Sequence, residues 1–119
     1  MKASDLLGRV LKVADTALGK LNERDAQGLP VAAIGVSVGT VEQLEKEVTT
    51  WLQDIKQEHP RAVDDECRML LQCLRRVLWA HEDGDGHDET KWRTLAEAFL
   101  PFVRTAHARA VTREEQEAA

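Results

Sequence analysis

The chain has 119 residues, 43% of them apolar and 31% charged, with a formal net charge of −5 and a pI near 5.4. That length suffices for one domain burying about two-thirds of its unfolded surface without a metal or disulfide staple, so a single domain over residues 1–119 is expected. The acidic balance excludes a global positive field drawing the chain to nucleic acid or anionic lipid, and it favours protein as the partner.

Residues 2–20 alternate apolar and charged positions, which fits neither a signal peptide nor a membrane span. The cytoplasm is the expected location. Cys67 and Cys73 lie six residues apart, about 120° around a helix, so they are expected as reduced thiols.

The first segment places Leu6, Leu7, Val10, Leu11, Ala14, Ala17, Leu18 and Leu21 along one helical face. A helix over about 5–24 is predicted, with Ser4 as its cap and Asp5 at the positive end of its dipole. Gly28 and Pro30 close it. The apolar stretch Leu29 to Gly39 has no helical period, and its Gly35 and Gly39 disfavour a helix, so a long apolar connection in coil is expected there.

Thr40 followed by Gln43 reads as a capping box, and Val41, Leu44, Val48, Leu52 and Ile55 continue at helical spacing to His59-Pro60. They predict a second helix over about 41–59. After Pro60, the carboxylates Asp64, Asp65 and Glu66 open a third helix, about 63–81, whose stripe is Val63, Cys67, Leu70, Leu71, Leu74, Val77, Leu78 and His81. The acidic run from Glu82 to Glu89 reads as a solvated loop. Trp92, Leu95, Ala96, Phe99, Val103, Ala106 and Ala110 then mark a fourth helix over about 90–111, with Pro101 on its polar side and residues 112–119 expected to fray. The fold class is therefore all-α, a compact bundle of four helices.

Function must then live on surfaces and loops. On the third helix Trp79 points to the side opposite the apolar stripe, in the company of Arg68, Gln72, Arg75 and Arg76. Tryptophan and arginine are the residue types most enriched where interfaces carry their energy, so these five residues are the expected partner-binding face. The competing reading makes Trp79 a satellite core residue beneath the 29–39 segment. A second copy of the chain is the simplest partner, with Arg75 and Arg76 reaching carboxylates across a two-fold axis.

Two resemblances bear on alternatives. The spacing of Arg76 and His81 resembles the Arg-x4-6-His motif of HEPN-domain ribonucleases, small helical bundles that dimerise and cleave RNA. That resemblance implies His81 as acid or base and Arg76 as phosphate stabiliser. The two side chains leave a regular helix about 140° apart, and Val77 stands where many members carry a polar residue. The closing helix, with Lys91-Trp92-Arg93, then Leu95, Ala98 and Phe99, then Ala106-His107-Ala108-Arg109, resembles the last helix of CRISPR effector small subunits, which are helical bundles that stack along a guide RNA without catalysis. Arg93, Arg104 and Arg109 would be its contacts.

No metal site or cofactor is expected. Counting from Asp83, the loop offers Asp88 where a calcium loop of the EF-hand type needs glycine and Thr94 where it needs a bidentate glutamate.

Overall fold

A computed structural model describes residues 2–21, 36–58 and 66–118, which form four helices in an all-α bundle: α1 (Ala3–Leu21), α2 (Val38–Glu58), α3 (Glu66–Glu82) and α4 (Gly86–Ala118). Most of the 29–39 connection lies outside the described residues, as do residues 22–24, 59 and 63–65 at the expected helix ends and the side chains of Leu21 and Ile55.

α3 is the central element. It packs against all three other helices, most extensively against α4, and correspondingly buries Cys67, Leu70, Leu71, Cys73, Leu74, Val77, Leu78 and Ala80. Those positions cover about half of its circumference at 100° per residue, more than the stripe a surface helix hides. Leu70, Leu71, Leu74 and Val77 are wholly inaccessible, and each contributes roughly 1.5–3 kcal/mol by leaving water. α1 supplies Leu6, Leu7, Val10, Ala14, Ala17 and Leu18 to the same core, and α2 supplies Val41, Leu44, Val48 and Leu52.

α4 is long enough, about 50 Å at 1.5 Å per residue, to set the longest dimension of the molecule, 53 Å. Among the described residues it packs against α3 and α1 but not against α2. It runs antiparallel to α1, with Asp15 paired to Arg104 at 3.0 Å, Gly8 facing the His107 ring and Ser4 bonded to Glu114. Because α1 and α3 also touch each other, they cover one side of α4, and no other helix packs on it among the described residues.

The helix boundaries correct the sequence reading at three caps. α2 begins at Val38, because the Ser37 hydroxyl accepts from the Thr40 amide at 3.1 Å and the Ser37 carbonyl from the Val41 amide at 3.3 Å. Ser37 therefore caps the helix that Thr40 was expected to cap. Likewise, most of the acidic loop is helical, leaving only Asp83, Gly84 and Asp85 between α3 and α4.

That turn uses both caps at once. Gly84, at φ 72°, ends α3 with its amide on the His81 carbonyl and the Asp85 amide on that of Ala80, the paired bonds of a Schellman motif. Asp85 then starts α4, its Oδ1 accepting from the Asp88 amide at 3.0 Å.

The third correction lies at the chain's ends. Ser4 is inside α1, and instead of capping it donates its hydroxyl and its amide to the Glu114 carboxylate. α4 consequently continues to Ala118 through the residues expected to fray. Hydrogen bonding to Ser4 holds the Glu114 carboxyl below its ordinary range.

A candidate partner-binding surface

The outward surface of α3 lies between α2 on one flank and α4 on the other, and those neighbours divide its cations. Arg75 turns toward α2, where its Nη1 meets Glu45 Oε2 at 3.0 Å. Its guanidinium carbon also lies 5.3 Å from the centre of the Trp79 ring, within cation–π range. Arg76 turns the other way and stands 4.9 Å over the ring of Trp92 on α4, a ring that Lys91 approaches from 5.1 Å. The five expected residues are thus on one face, but Arg75 and Arg76 hold α2 and α4 respectively.

Trp79 is 41% exposed and is not among the residues of the buried core cluster, while residues 29–35, which the alternative reading sets over it, lie outside the described residues. Gln72 and Arg68, two and three turns earlier on the same face, are half-buried. Met69, 43% exposed, belongs to the same surface and was missed from the sequence. It lies ten residues from Trp79, about 15 Å along the axis, so two large apolar groups flank the polar centre of the face.

The buried side of α3 next to this face carries Cys73. Burial pushes its thiol above the ordinary range, with the Arg76 guanidinium pulling the other way. Both cysteines are buried and free. A groove of about 480 Å³ between α2 and α3 is lined by Glu42, Glu45, Lys46, Thr49, Thr50 and Arg75, so Arg75 forms one wall of it.

Four of the five residues of the two resemblances are engaged by contacts within the fold. His81, next to the turn, takes Glu89 at 2.9 Å through Nδ1, while Arg76 covers Trp92, so the pair is committed to different partners on α4. Arg93 pairs with Glu97 at 3.0 Å and Arg104 with Asp15, whereas Arg109 is exposed and makes no ion pair among the described residues. Among the described residues, no cluster of three or more His, Cys, Asp or Glu is placed to hold a metal ion, and no helix is long and apolar enough to cross a membrane.

Comparison with known proteins adds no relative. No protein-family model, no curated protein and no solved structure matches the chain.

α4 departs furthest from its expected packing. Its buried residues are Ala96, Leu100, Val103 and Ala110, while Leu95, expected in the core, is 38% exposed and Phe102 is 57% exposed. The apolar side chains from Trp92 to Ala106 span about 200° of the helix at 100° per residue, roughly twice the stripe that a surface helix needs. α1 and α3 cover the Ala96–Leu100–Val103 side. Leu95, Ala98 and Phe102 are left facing water.

Proposed function

We propose that this protein is a non-catalytic interaction or assembly subunit that binds a protein partner through the outward face of α3, around Arg68, Gln72, Arg75, Arg76 and Trp79. The observation that carries this reading is the exposure of Trp79 beside Arg75. Exposed, the indole keeps its large apolar area in water, and the stacked guanidinium orders it in advance of contact. A pre-ordered aromatic loses little conformational freedom on binding, which is what gives tryptophan its weight at the centre of interfaces.

The simplest partner is a second copy meeting the first about a two-fold axis. In that arrangement Trp79 and Met69 supply apolar contacts at the two ends of the face and Gln72 the polar contact between them. Arg75 and Arg76 stay on Glu45 and Trp92 as rigid walls, since drawing either away would uncover a group it already satisfies.

Light scattering over a concentration series tests this reading. Wild type is expected to self-associate, with Trp79→Ala weakening the association about thirtyfold, as for the loss of a central aromatic anchor. A wild type that stays monomeric at every concentration would rule out the homotypic form.

A further inference from the structure

The second outward surface, on α4, has its own logic and does not depend on the α3 face. Lys91, Leu95, Ala98, Phe102, Thr105 and Arg109 succeed one another at alternating steps of four and three residues, and all six are exposed. That spacing is the seam of a helix that packs against another helix, because alternating steps of four and three keep one line facing a partner. The seam runs about 27 Å along the axis. One flank of the line, formed by Trp92, Phe99 and Ala106, is already packed on the core, so that edge is held in place.

The charges identify what fits there. An acidic chain carries in residues 90–113 five cations, Lys91, Arg93, Arg104, Arg109 and Arg113, against one carboxylate, Glu97. Arg93 is neutralised by Glu97 and Arg104 by Asp15. Glu97 itself leaves the helix about 120° from the seam. What remains on the seam is an apolar centre, Leu95–Ala98–Phe102, with Lys91 at one end and Arg109 at the other.

A second copy is a poor occupant. In the usual antiparallel layering, Ala98 meets the partner copy's Phe102, and the same register sets Lys91 against its Arg109 at both ends. Like charges at both ends oppose that pairing. A helix with carboxylates at those two positions removes the conflict and gains two ion pairs.

We propose that the line from Lys91 to Arg109 is a docking site for an amphipathic helix of another protein, one whose apolar stripe is bordered at both ends by carboxylates. The small side chain of Ala98 admits a large apolar group from that helix between Leu95 and Phe102. Lys91 and Arg109 fix its register.

The test uses fluorescein-labelled synthetic helices of about 20 residues, matched to the seam at 1.5 Å per residue, with leucines on one seam and either glutamates or lysines at its two ends. By anisotropy, wild type is expected to prefer the glutamate peptide by about tenfold or more, and Phe102→Glu to weaken that binding at least as much. The double variant Lys91→Glu, Arg109→Glu is expected to reverse the preference. Circular dichroism verifies that each variant folds. Trp79→Ala is expected to bind as wild type does, which separates this site from the α3 face whichever of the two fails.

Equal binding of both peptides, binding of neither, or indifference to Phe102→Glu would overturn the proposal. So would a wild-type dimer dissociated by Phe102→Glu, which would seat a second copy on the seam. Displacement of the peptide by a single-stranded RNA oligonucleotide, with steep salt dependence lost in Arg109→Glu, would assign the line to nucleic acid instead.

Discussion

The two halves of α4 use their side chains differently. Up to Phe102 the helix carries Trp92, Leu95, Phe99, Leu100 and Phe102, more large apolar groups than α3 and α1 cover, and Leu95 and Phe102 stay in water. Beyond it the apolar residues are small, and the helix is tied to α1 by Arg104 on Asp15, His107 on Gly8 and Glu114 on Ser4. In the second half every tie closes the fold. In the first half, packing accounts for only part of the apolar surface, and a surplus on one continuous line is what a binding surface leaves behind.

The largest effect is expected from the core beneath the bundle's outer faces. Leu74 is fully buried on α3, and Leu74→Ala is expected to cost about 2–5 kcal/mol in urea unfolding, the range for a core leucine whose cavity cannot fully collapse. A loss under about 1 kcal/mol would show that α3 is not the centre of the core.

A smaller change sharpens the second half. A Cβ added at Gly8 would rest 3.5 Å from the His107 ring, ordinary van der Waals separation, so the close approach of α1 and α4 does not require glycine. Gly8→Ala is expected to stabilise the protein by about 0.5–1 kcal/mol through the removal of a flexible residue from a helix interior. Destabilisation in a thermal melt would mean that the two helices pack more tightly than this.

The smallest effect is local. Because the Glu114 carboxyl is held below its ordinary range in the folded chain, its contribution is full above the ordinary glutamate pKa and fades as pH falls through the depressed value. Acidification, or Glu114→Gln at neutral pH, is expected to raise amide hydrogen exchange over residues 112–118 while leaving α3 unchanged. Equal exchange in the variant and in wild type would place the anchor of that end elsewhere.

The four helices were legible in the sequence because their apolar residues recur at helical spacing, and α3 keeps closely to its stripe. The caps were less so. Ser37 and Thr40 are both hydroxyl residues within capping reach of the first turn of α2, and spacing alone does not choose between them. Residues 112–118 read as a frayed tail because their anchor, Ser4, lies 110 residues away in sequence.

The α3 face was readable as a direction, since Trp79 faces away from the stripe. How Arg75 and Arg76 divide was not, because it depends on where α2 and α4 stand and the periodicity of α3 contains no such information. On α4 the stripe is too wide to have one centre, and Leu95 was therefore assigned to the core. That excess width was itself the signal for the seam.

On the proposals above, the apolar groups facing outward on α3 and α4 serve partners and not the fold. The most direct measurement is the unfolding free energy of the double variant Trp79→Gln, Phe102→Gln, whose two sites lie on exposed surface and should act additively. At protein concentrations low enough to keep wild type monomeric, the expected result is a change within about 1 kcal/mol of wild type, as for two ordinary surface positions. A loss of about 3 kcal/mol or more, comparable to emptying the core at Leu74, would contradict it.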